Sequence, residues 1–146
     1  MSKIQVFGEK IDGVNYQARY GVYAIVSRET GEICLVQTPN GAFYLPGGEI
    51  EAGEDQETAL KRELIEELGA KAQLEHFLGQ ADEYFYSSHR DAYYYNPAYI
   101  YTVHVAFTQA PLENFNQLFW FDVDTAINKL KRGSHKWGVR QYKKTI

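Results

Sequence analysis

The stretch from Gly47 to Ala70, GGEIEAGEDQETALKRELIEELGA, constrains this chain more than any other. Two glycines leave a strand-like segment, a short acidic loop follows, and then a helix begins. Leu60, Leu64 and Leu68 recur every four residues, which predicts an amphipathic helix over about 55–68, with Gly69 at its C-terminal cap. With about 100° of rotation per residue, the leucines occupy one arc. Glu63, Glu66 and Glu67 share a neighbouring arc, beside the buried stripe rather than opposite it.

That arrangement works against the helix. Like charges at i, i+3 and i+4 cost roughly 0.2–0.5 kcal/mol per pair, and the negative end of the macrodipole disfavours Glu66 and Glu67 further. A hard divalent cation, Mg²⁺ or Mn²⁺, is the natural compensation, because such ions prefer carboxylate oxygens. A solvated acidic helix face is the competing explanation for the three glutamates alone. The paired glycines let backbone approach a ligand closely and expose a carbonyl oxygen. Glu54, at the helix start, stands where it can pair with Arg62 and orient the neighbouring carboxylates.

Around this stretch the pattern reads as α+β. Strands are expected at residues 4–8 and 16–26. A turn at Arg28–Gly31 leads to a strand over Glu32–Thr38, so these two segments read as a hairpin. Ala42–Leu45 is a further short strand. After the helix, Ala72–Tyr86 and Ala92–Phe107 form two long β segments joined by Ser87–Asp91, and Pro97 suggests a bulge or an edge position. Ala110–Gln117 is loop and Leu118–Phe121 a strand. Asp122 or Asp124 can cap a helix running to about Lys131, and a last helix is expected near Trp137–Lys144. One domain over residues 1–146 accommodates all of this.

Composition narrows the classes. The formal net charge of −4 gives no global pull toward a nucleic acid polymer. No apolar run approaches the roughly 20 residues that span a bilayer, and the first ten residues carry no signal-like core, so the expectation is a cytoplasmic protein with no membrane partner. Cys34, the single cysteine, sits in an apolar run and reads as a small buried hydrophobe. After Asp124 there is no acidic residue, while Lys129, Lys131, Arg132, Lys136, Arg140, Lys143 and Lys144 follow. They form either a solvated basic face or a source of cations for the phosphates of a small ligand.

Gly48, Glu54 and the run RELIEELGA from Arg62 to Ala70 resemble the signature of the Nudix hydrolase family, MutT-like, over 23 of the 146 residues. Ala70 departs from the pattern, which there has a larger aliphatic residue at a packing position. The resemblance implies an α/β/α sandwich, a mixed β-sheet with helices on both faces. It also implies a metal-dependent pyrophosphohydrolase acting on a nucleoside diphosphate linked to another moiety, such as a nucleoside triphosphate, a nucleotide sugar or a dinucleoside polyphosphate. By position, Glu63, Glu66 and Glu67 would be metal ligands with the Gly47 carbonyl, and Glu54 and Arg62 the supporting ion pair. The partner would be a small nucleotide, and a homodimer is an option for assembly.

Glu66 or Glu67 is the first candidate for general base, with Glu113 or Glu83 as downstream alternatives. Tyr86 fits the spacing of a dinucleoside-polyphosphate marker, and Tyr84, Tyr94 and Tyr99 could stack on a base, although sheet packing competes for each of them. His76, His89, His104 and His135 show no metal spacing. Two other classes compete: a non-catalytic ligand-binding or regulatory module, which would be expected to have lost box carboxylates, and an isomerase, which would want a better-placed cysteine than Cys34.

Overall fold

The computed structural model describes residues 3–113 and 115–146. Two sheets and three helices make the α+β sandwich. The larger sheet is mixed and runs β1 (Gln5–Phe7), β7 (Ala70–Ser87), β8 (Ala92–Phe107), β3 (Gly21–Val26) and β6 (Gly47–Glu49), with β2 (Gln17–Ala18) on β8 ahead of β3. The smaller sheet is antiparallel, in the order β5 (Phe43–Tyr44), β4 (Ile33–Gln37) and β9 (Gln117–Phe121). No described helix is long and apolar enough to cross a membrane.

Helix α1, Gln56–Leu68, forms where the leucine period places it. Asp55 caps it by accepting the Thr58 N–H, and Gly69 ends it in the left-handed region at φ 67. Leu60, Leu64 and Leu68 are buried against Val22, Ala24 and Val26 of β3 and Cys34 and Val36 of β4. The opposite core joins Ile25, Leu35, Leu45, Ala98 and Ile100 to α2 (Val123–Lys129) and α3 (Gly133–Lys143). Helices therefore cover both faces.

Four expectations need correction. The Arg28–Gly31 turn forms, with the Gly31 N–H donating to Arg28 O at 2.9 Å, but the flanking strands do not make a hairpin. A single bridge, Ser27 to Ile33, joins them before β4 leaves for the smaller sheet. β8 takes one edge of β3 along its whole length, and β6 takes the other over Gly21–Tyr23. Both strands are apolar on two faces, so period-two patterning carries no instruction about a partner.

Pro97 is neither at an edge nor in a bulge of its own strand. β8 is interior, and Pro97 lies opposite the interruption at Arg19–Tyr20 between β2 and β3. The register shifts fall in β7 instead, between Leu74 and His76 and between Phe77 and Gly79. Finally, α2 stops at Lys129.

Glu83 is corrected more sharply. It is buried on the α3 side of the sheet, where its Oε1 accepts the Ser134 N–H at 2.9 Å and the Ser134 hydroxyl at 2.8 Å. A carboxylate there satisfies orphan donors at the start of α3 and favours the positive end of its dipole. Glu83 thus fastens a helix, with the sheet between it and α1. Glu83→Ala should lower unfolding free energy by about 1–3 kcal/mol, read by denaturant titration, because a buried N–H loses its acceptor.

Candidate active site

The centre of the site is the Arg62 guanidinium. Its Nε donates to Glu54 Oε2 at 2.7 Å and its Nη2 to Glu54 Oε1 at 2.9 Å, a two-pronged pair. Nη2 also reaches the Glu49 carbonyl at 3.0 Å. Nη1 contacts Glu63 Oε1 at 3.0 Å and Glu66 Oε2 at 3.3 Å. Glu54 is held in turn by the Glu51 N–H at 2.9 Å, so the acidic loop is tied to the middle of α1. The Arg62 bond holds the Glu54 carboxyl below the usual range. Its pairing with Glu54 keeps Arg62 charged at any ordinary pH.

Gly48 is where the strand and the helix side chains meet. A Cβ there would lie 2.6 Å from the carboxyl carbon of Glu63, so only glycine lets that carboxylate rest against β6. Gly47 contributes through its backbone. The Ala24 N–H bonds Pro46 O and the Ile50 N–H bonds Tyr20 O. Alternation along an antiparallel pair then leaves Tyr23 and Gly47 as a non-hydrogen-bonded pair. Both the N–H and the C=O of Gly47 therefore face outward from the sheet edge. The N–H donates to Glu67 Oε1 at 2.9 Å, and the carbonyl is directed to the same side.

Burial raises the Glu63 carboxyl, against the Arg62 contact. It pushes Glu67 up to about 8, with the charges of Glu63 and Glu113 adding to the effect. Glu113 arrives on the segment after β8, which docks on the end of α1. The Thr108 and Gln109 N–H groups donate to Gly69 O at 3.0 and 3.2 Å, and the Glu113 N–H donates to Glu66 O at 2.8 Å. Burial and then Glu66 raise the Glu113 carboxyl. On the same segment, Asn116 Nδ2 donates to Glu67 Oε2 at 3.4 Å.

Glu63 and Glu66 turn to Arg62 while Glu67 turns to Gly47. Among the described residues, no three acidic, histidine or cysteine groups are gathered into a closed cage. The donor set nonetheless suits a hard cation. Three carboxylates and the outward Gly47 carbonyl flank one helix edge, and Asn116 Oδ1 is buried with no hydrogen-bond partner. A cavity of about 160 Å³ opens beside this segment, lined by Gln37, Thr38, Pro39, Gly41, Phe115 and Gln117.

Two of the tyrosine candidates, Tyr84 and Tyr86, stand elsewhere. Gly48 is level with Val22, Tyr99 and Gln80 across the sheet. Tyr84 and Tyr86 are four and six residues farther along β7, about 13 and 20 Å at strand rise. Tyr84 packs on Tyr16 and Tyr95, each at 4.9 Å between ring centroids. Tyr86 donates to Asp91 in the hairpin turn. Cys34 is sealed in the core, where burial pushes its thiol up to about 12.

A second cluster, on the α3 side of β6, combines residues that are far apart in sequence. His135 is 2% exposed and lies 4.3 Å from the Tyr23 ring. Its Nδ1 accepts the Leu45 N–H at 3.0 Å, so Nε2 carries the proton, and burial pulls the ring down to about 3. The Arg132 guanidinium lies 3.5 Å from the centroid of Phe85 and 5.7 Å from that of Tyr44. Arg132 makes no ion pair among the described residues. Elsewhere in the basic segment, Lys143 pairs with Asp124 at 2.6 Å and Lys136 Nζ donates to the Ile127 carbonyl at 2.7 Å.

Comparison with known proteins agrees with this architecture. A family model described as "NUDIX domain" matches residues 17–142. An 8-oxo-dGTP diphosphatase of Haemophilus influenzae is 45% identical over 53 residues, which are 33% of this chain and 39% of that protein. The chain thus spans about two fifths of that relative's length. Among solved structures, a MutT protein from Methanosarcina mazei superposes with a TM-score of 0.72 at 18% identity, covering 91% of this chain and 98% of its own. The E. coli dihydroneopterin triphosphate pyrophosphohydrolase superposes with 0.71 at 16% identity, covering 90% and 99%. At these identities the structural likeness is one of fold.

A stability experiment follows from the Glu67 environment. Its folded pKa is raised above the unfolded value, so the folded state holds more protons between pH 4.5 and about 8. Without divalent cation, stability should fall as pH rises through that window. Glu67→Gln should flatten the fall, as read from thermal melts in chelator across the range.

Proposed function

For a chain that belongs to the NUDIX family and is a Nudix hydrolase, we propose a divalent-cation-dependent pyrophosphohydrolase that cleaves the diphosphate of a small nucleotide carrying a further moiety. The observation that carries this is the carboxylate row of α1 against the outward edge of β6, with all three glutamates, Glu54 and Arg62 in mutual contact or one residue removed from it. A non-catalytic module has no use for three like charges held together at such a cost.

Glu63, Glu66 and Glu67, with the Gly47 carbonyl, would hold Mg²⁺ or Mn²⁺. The ion would neutralise charge on the diphosphate and make water more acidic. The chain's own groups do the remainder. Arg62 fixes the spacing of Glu63 and Glu66 and joins both to the Glu54 loop. Glu67 has one oxygen on the Gly47 N–H and the other facing Asn116, which leaves it little freedom to turn. Glu66, with its side chain 31% exposed, is the carboxylate free to take a proton from the attacking water.

The substrate would lie across β6, its diphosphate at α1 and its remaining moiety toward Tyr23, Tyr44, Arg132 and His135. Stacked guanidinium and aromatic faces suit a flat heterocycle, and the neutral His135 offers one donor. A nucleoside triphosphate, a nucleotide sugar and a dinucleoside polyphosphate all meet that description. The 8-oxo-dGTP diphosphatase similarity makes the modified triphosphate a member of any test panel.

With Mg²⁺ and such a panel, phosphate or pyrophosphate release should be abolished by chelator and restored by Mn²⁺. Glu66→Gln should lower kcat by about 10²–10⁴. If Glu66→Gln and Glu67→Gln both turn over at the wild-type rate, the reading fails. Arg132→Ala should raise KM with little change in kcat, as expected for an interaction that binds substrate and transition state alike.

A further inference from the structure

Asn116 reaches the carboxylate row from a different part of the chain. The segment after β8 is fastened to the last turn of α1 by the Thr108, Gln109 and Glu113 N–H groups. That anchorage brings Asn116 alongside Glu67, with Nδ2 at 3.4 Å from Oε2. The orientation of the amide follows from chemistry, since a carboxylate oxygen facing it calls for the nitrogen end rather than the oxygen end. Oδ1 therefore points away from Glu67. Among the described residues it is the one buried side-chain polar atom without a hydrogen bond. Buried acceptors are nearly always paired, and one left open on a residue bonded to the Glu67 carboxylate points to a partner that comes with the ligand.

We propose that Asn116 is a positioning residue of the cation cradle. Its N–H fixes the plane of the Glu67 carboxylate, and its Oδ1 is the acceptor for a water that enters with the cation. Glu67 is thereby braced from both directions: Gly47 supplies one donor from the sheet edge, and Asn116 supplies the other from the docked segment. Outer-sphere donors of this kind set how firmly a ligand is held and how strongly it binds metal. The inference rests on the divalent-cation reading given above.

The test is Mn²⁺ binding to the substrate-free protein, by calorimetry and by the shift in thermal midpoint on adding Mn²⁺. Asn116→Ala should weaken Mn²⁺ affinity about 10–100-fold and shrink the midpoint shift accordingly. Asn116→Leu, of nearly the same shape, should do the same while filling the space. Mn²⁺ affinity within twofold of wild type in a folded variant overturns the proposal, and failure of both variants to fold overturns it by assigning Asn116 to packing. If the wild-type protein itself binds no Mn²⁺, the cation reading falls along with it. Wild-type binding matched by the variants sinks only the role of Asn116.

Discussion

The Arg62–Glu54 pair is the interaction on which the site depends. Three acidic side chains along one helix edge repel each other, and α1 offers no cation in its last turn to offset them. One guanidinium, planar and always charged, reaches Glu54, Glu63, Glu66 and a β6 carbonyl from a single position. A lysine could not span those directions, since its ammonium is a point charge without a fork. The acidic loop, the helix and the sheet edge are therefore held together by a single group. Local repulsion, tolerated through one residue, keeps the row ready for a multivalent cation.

Much of the scaffold is legible in the sequence, and the reasons can be given residue by residue. Leu60, Leu64 and Leu68 specify both the existence of α1 and the face it buries, and Asp55 and Gly69 mark its ends. The long β7–β8 hairpin is equally plain, because Ser87–Asp91 is a turn between two long alternating segments. The partner of β4 is not legible, because strands buried on both faces carry no code for their neighbours. In the fold β3 pairs with β8 and β6, and β4 with β5 and β9.

The site divides in the same way. Glu54, Arg62, Glu63, Glu66 and Glu67 lie within fourteen residues, so spacing on one helix reveals them. Asn116, Arg132 and His135 come from elsewhere, and nothing next to them in sequence indicates their partners. His135 depends on a backbone N–H ninety positions away. Arg132 owes its environment to Phe85 and Tyr44, one on each sheet. No periodicity encodes such meetings. Glu83 shows the reverse error, in which a carboxylate at a plausible offset serves to hold α3 in place.

β6 is the exposed margin of a sheet, three residues long, and margins of this kind invite pairing with strands of other molecules. Here two of the outward-facing groups are already engaged. The Gly47 N–H is bound by Glu67 and the Glu49 carbonyl by Arg62. The side chains assigned to hydrolysis thus double as a cap on a sticky edge. A variant stripped of them would uncover a template for self-association, so the two side chains proposed for the site also shield the edge on which it is built.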